Sequence, residues 1–173
     1  MQLIDGTYFI GELNIPNLDK EHVRQSLEVF MTKYQKRFLT LLLGEDVYKA
    51  FKAGLEESQV SEEWVKLRDK LVDEDTKQSP IANYVYWFFM YNNATQTTDN
   101  GEVIASAENS TVISPVTKMV RAWNEMCDFV HNTRQWFHDF YAEYDLNHDW
   151  YFFNLYCYNS YKQEFAHKNR LGL

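Results

Sequence analysis

The chain has 173 residues, enough for one domain with a core of its own and tight for two. It is 45% apolar and 24% charged with only 6 Gly and 3 Pro, which excludes long disorder and collagen-like or linker-like character. With 17 basic and 25 acidic residues the net charge is −8, which argues against gripping phosphates through a basic surface.

Residues 1–18 read as extended, because 8–16 alternates loosely and stops at Pro16. A long helix is predicted over 18–43, capped by Asn17 or Asp19. Its apolar stripe of Val23, Leu27, Phe30, Tyr34, Phe38 and Leu41 recurs at three- and four-residue steps. Gly44 ends it, since glycine tolerates the left-handed backbone of a helix terminus. A short helix over 45–53 presents Val47, Tyr48 and Phe51 before Gly54 ends it. Ser61 caps a third helix carrying Trp64, Leu67 and Leu71, and Ser79-Pro80 opens a fourth that runs to Asn93.

That fourth helix is apolar almost all round, the pattern of a helix central to a bundle or shared with a partner. Its apolar run over 81–91 is too short to span a bilayer. Next, 95–114 is polar, with Asn100-Gly101 between strand-favouring residues, which predicts a β-hairpin insertion. Ser114-Pro115 opens the longest predicted helix, reaching Tyr144 on the stripe of Val120, Trp123, Cys127, Val130, Phe137 and Tyr141. An aromatic block over 150–161 and a basic tail over 165–173 follow. The expected fold is mainly α: one helical-bundle domain over 1–173, of five to six helices, with one β-hairpin insertion and an extended N-terminal segment.

No motif gives catalysis an address. Asp145, Asn147 and Asp149 alternate like the start of a calcium loop, but Trp150 and Tyr156 stand where that loop needs its glycine and its bidentate glutamate. His131 and His138 lack the spacing and third ligand of a zinc helix, and no Glu-x-x-His repeat is present for a di-iron bundle. Cys127 and Cys157 are isolated and read as buried thiols of a cytosolic protein. No nucleophile elbow or phosphate-cradling glycine loop occurs. The start of the chain has neither a basic region nor a long apolar run, so no secretory signal is expected. The basic run over 33–37 belongs to the outer face of the first helix, a solvated stripe or a phosphate contact. No catalytic, cofactor or metal residue is assigned, and an enzyme is not expected.

What remains is recognition surface. The 12 Tyr, 12 Phe and 5 Trp exceed what a core of this size needs, and such residues favour protein interfaces. The candidate interface residues are Tyr84, Tyr86 and Trp87 on the fourth helix, and Asn100 and Gly101 in the hairpin. Trp150 and Tyr151 come from the aromatic block, and Phe165, Lys168, Arg170, Leu171 and Leu173 from the tail.

Several segments in order carry a resemblance: Tyr8-Phe9-Ile10-Gly11-Glu12-Leu13, Lys33-Tyr34 with Phe38-Leu39, Leu42-Leu43-Gly44, Trp64 with Leu67, Tyr84-Val85-Tyr86, and Ala122-Trp123-Asn124. Together with the polar stretch around Asn100-Gly101, they resemble the head–tail connector proteins of tailed bacteriophages, especially those of crAss-like phages. The resemblance implies a small helical bundle with a hairpin, assembled as a dodecameric ring beneath the portal protein and docking a tail or stopper protein. Phage DNA would slide through an acidic lumen without sequence-specific binding. It further implies residence in the virion neck after assembly in the host cytoplasm, with no membrane partner. Two rival readings are another viral assembly component and a helical-bundle ligand-binding domain or enzyme.

Overall fold

The structure, a computed structural model, describes residues 1–93, 96–98, 101–103 and 116–146. It is mainly helical. In chain order the helices are α1 (Glu21–Leu43), α2 (Glu45–Leu55), α3 (Glu62–Leu71), α4 (Pro80–Asn93), α5 (Val116–Asn132) and α6 (Arg134–Glu143). Between α4 and α5, β1 (Gln96–Thr98) pairs antiparallel with β2 (Gly101–Val103), with Thr97 opposite Glu102.

Helix α4 lies between α1 and α5 and packs against both. It meets α1 through Tyr84, Phe88 and Phe89, whose rings contact Phe38, Tyr34 and Phe30, so the two helices run antiparallel. On the other flank, Trp87 and Tyr84 reach Trp123 of α5 at ring distances of 5.3 and 6.0 Å. Met119, Trp123, Met126 and Val130 recur on α5 at three- and four-residue steps and are all buried, the stripe that a one-sided amphipathic helix needs. Each such side chain taken out of water contributes about 1.5–3 kcal/mol, so α4, covered on both flanks, anchors the body.

Local chemistry explains the boundaries. Gly44 closes α1 at φ +80° and ψ 159°, a region open to glycine and closed to most side chains. Ser79 stands before Pro80; its hydroxyl accepts the Ile81 N–H (3.2 Å) and donates to the Leu71 carbonyl (2.9 Å). One buried side chain therefore caps α4 and ties it to the end of α3. Asp73 accepts N–H bonds from Asp75 and Thr76, and its own N–H donates to the Gln78 carbonyl, so the chain reverses tightly between α3 and α4. That turn holds the Asp73 carboxyl below its usual range.

Four expectations about the elements are corrected. The N-terminal segment is not extended throughout: it makes two 3₁₀ turns, Gly6–Tyr8 and Gly11–Leu13. Its buried residues, Ile4, Tyr8, Phe9, Leu13 and Ile15, keep no steady spacing of two, and no strand forms. Buried Gln35 holds the segment to α1 by accepting the Leu3 N–H at 2.8 Å. Helix α1 starts at Glu21 rather than near Leu18, because Lys20 is extended (φ −77°, ψ 132°) and takes the N-cap position in place of Asn17 or Asp19. Gly54 lies inside α2, which continues to Leu55. The long helix expected after Ser114-Pro115 is divided at Thr133, whose hydroxyl donates back to the Phe129 carbonyl at 2.7 Å. Such back-bonding competes with the helical ladder and bends it.

Candidate functional site

The interface residues expected on the fourth helix are core. Tyr84, Tyr86 and Trp87 are 0, 1 and 6% exposed, enclosed by the chain's own helices. This corrects the expectation that they face a partner. A helix apolar all round demands cover on every side, and α1 and α5 supply most of it from within the chain. Asn100, Trp150, Tyr151, Phe165, Lys168, Arg170, Leu171 and Leu173 lie outside the described residues. Gly101 opens β2, and only its backbone pairing opposite Thr98 is described.

The part of α4 that remains outward is its C-terminal half, where it meets α1. Half-buried Tyr34 of α1 stacks flat on half-buried Phe88 of α4, with centroids 4.2 Å apart and an interplanar angle of 9°. Phe30, one turn earlier on α1, lies 5.4 Å from Tyr34 and extends the row. Two cations flank it: the Lys33 ammonium is 5.0 Å from the Tyr34 ring, and the Arg37 guanidinium is 5.3 Å from Phe88. Val29, one turn from Lys33, and Tyr91, one turn from Phe88, are 64 and 55% exposed.

The charge of this face is one-sided. From Val29 to Leu43, α1 carries Lys33, Lys36 and Arg37 and no acid, while α4 carries no charged residue. Among the described residues none of these three cations pairs with a carboxylate, nor do Lys20, Lys52, Lys70, Lys77, Lys118 and Arg134, whereas Arg24, Lys49, Lys66, Arg68 and Arg121 do. The sequence places 33–37 on an outer face. Their aromatic neighbour Phe88 comes from a distant segment, and no local spacing signals it.

A second feature is a cleft of about 700 Å³ beneath the second 3₁₀ turn, lined by Tyr8, Leu13, Lys77, Asn83 and Glu125 among others. At its edge the Arg121 guanidinium donates to Glu12 at 2.7 Å. Buried Asn83 donates its amide to Glu125 at 3.1 Å. Partial burial pushes the Glu125 carboxyl up, and the nearby negative Glu12 adds to this; the Asn83 bond and Arg121 oppose it. Buried Cys127 belongs to the core stripe of α5, and His131 and His138 lie on α5 and α6. Among the described residues no three His, Cys, Asp or Glu side chains gather as metal ligands.

No described helix is long and apolar enough to cross a membrane. Compared with known proteins, the chain matches no family model, no curated protein and no solved structure.

Proposed function

We propose that the chain is a structural protein of the phage neck, a ring subunit that sits beneath the portal, extends the DNA channel and docks a tail or stopper protein. The observation that carries this reading is the element order: four helices, a two-stranded antiparallel pair, then amphipathic α5. It supports the resemblance to phage head–tail connectors, whose plan is a helical bundle carrying a hairpin. An acidic chain of net charge −8 also suits a lumen that repels DNA and lets it slide.

In this reading the subunits contact one another head to tail, and the rotation closes into a ring. The chain is mixed with a portal protein encoded in the same genome, and electron microscopy of the product is expected to show closed rings docked on the portal. A strictly monomeric particle, both alone and with the portal, overturns the reading. The cleft favours a second reading, a ligand-binding helical domain, because its volume falls within the roughly 300–1,000 Å³ of small-molecule sites. A small molecule co-purifying with a monomer distinguishes that reading from the first.

A further inference from the structure

We infer that the face along the α1–α4 seam is one half of a contact between copies of this chain, and that its other half is the acidic rim formed by α2 and the start of α3. The inference rests on the ring reading and names the two surfaces that would meet.

The seam has the composition of an interface centre. Half-buried Phe30, Tyr34 and Phe88, with exposed Val29 and Tyr91, give it an apolar middle. Lys33 and Arg37 border that middle, and aromatic residues and arginine are the types enriched where proteins meet. The cations are held over rings without a counter-charge, and they lie on a chain whose net charge is −8. A partner that brings carboxylates to them gains charge-assisted hydrogen bonds in a partly dry setting.

The same chain offers those carboxylates elsewhere. Between Glu45 and Glu63 there are six acids, Glu45, Asp46, Glu56, Glu57, Glu62 and Glu63, against two cations, Lys49 and Lys52. Lys49 pairs with Glu45, but Asp46, Glu57, Glu62 and Glu63 have no ion-pair partner among the described residues. Among the described residues no ion pair joins seam and rim within one copy, so in this contact one copy's seam takes another copy's rim. Such a contact is heterologous, the kind that builds a ring when its rotation closes. Opposed charge also sets register and suppresses seam-to-seam and rim-to-rim encounters. Single-stranded nucleic acid fits the seam less well. Tyr34 and Phe88 already cover each other at 4.2 Å and cations lie beside them, which leaves a base little to stack on beyond exposed Tyr91.

The test uses the full chain and sedimentation velocity over a concentration series. Lys33→Glu with Arg37→Glu reverses the seam, and Glu57→Lys with Glu62→Lys reverses the rim. All four positions are exposed, so folding, checked by circular dichroism, is retained. Each double variant alone is expected to associate at least about tenfold more weakly than the native chain. Mixing the two variants restores association, because each reversed surface then meets its complement. Native-like assembly of either variant alone, or a mixture of folded variants that stays dissociated, overturns this contact and leaves the ring reading standing. A native chain that never associates, with or without the portal, overturns both. Binding of a single-stranded oligonucleotide that is lost in the seam variant, with self-association unchanged, assigns the face to nucleic acid instead.

Discussion

Gly54 shows how a residue is chosen by space rather than by backbone. A Cβ built there would lie 2.0 Å from Cδ1 of Trp64, whose indole comes from α3 and packs against Phe51 at a ring distance of 5.8 Å. The missing side chain therefore lets α2 and α3 approach. Gly54→Ala must push that indole out of its place, and overpacking of this kind is expected to cost about 1–3 kcal/mol in urea unfolding. An unchanged midpoint would mean that the indole moves freely. Ser79 is the polar counterpart. Ser79→Ala removes the cap on Ile81 and leaves the Leu71 carbonyl without its donor, an expected loss of about 1–2 kcal/mol by the same measurement. Ser79→Thr, which keeps the hydroxyl, recovers part of the loss if hydrogen bonding is the cause.

At the scale of elements, the second 3₁₀ turn docks on α4 and α5 through charged groups as well as through Leu13. Glu12 meets Arg121 on α5, and Glu125, one turn further along α5, receives the Asn83 amide from α4. Burial and Glu12 raise the Glu125 carboxyl in the folded chain, so the folded state binds this proton more tightly than the unfolded one. The contribution of Glu125 to stability is then fullest at pH values below its unfolded pKa and is lost as pH rises through the folded one. Asp5, held below its usual range first by its bond from the Thr7 hydroxyl, acts in the opposite sense and loses its contribution as pH falls. A comparison with Glu125→Gln isolates the first effect. The glutamine still accepts from Asn83 but carries no charge, so its melting temperature is expected to exceed the native value at pH 7. The gap should close as pH falls through the carboxylate range. A gap independent of pH between 4 and 7 would rule out the protonation mechanism.

Across the whole molecule, burial separates residues that hold the subunit together from those free to meet another. Trp87, 6% exposed against Trp123, belongs to the first group, and Tyr91, 55% exposed, to the second. Trp87→Ala is expected to cost the isolated subunit about 3–5 kcal/mol, while Tyr91→Ser leaves its thermal unfolding within about 0.5 kcal/mol. The reverse order of effects would show that α4 is not the interior helix. A loss of association in Tyr91→Ser without loss of stability is the outcome that the seam contact requires.

Helices were legible in the sequence wherever their determinants are local. Gly44 at the end of α1, Ser79-Pro80 at the start of α4 and the three-four spacing of buried Trp123, Cys127 and Val130 act within a turn or two of themselves, though Met119 and Met126, outside the expected stripe, share the buried face. The tertiary structure decided the rest. Periodicity reveals that α4 is apolar on every side, but not whether its cover comes from α1 and α5 or from another molecule. That choice turned Tyr84, Tyr86 and Trp87 from expected contacts into core. Gly54 reads locally as a helix end, and only the arrival of Trp64 shows it to be a point of close approach. The cationic seam is likewise invisible along the chain, because Tyr34 and Phe88 lie 54 positions apart and meet only when α1 and α4 pack antiparallel. Capping, turn chemistry and stripe spacing are short-range and survive in a linear reading. Cover, clearance and juxtaposed charge depend on which elements pack together, and packing sets those after the elements exist.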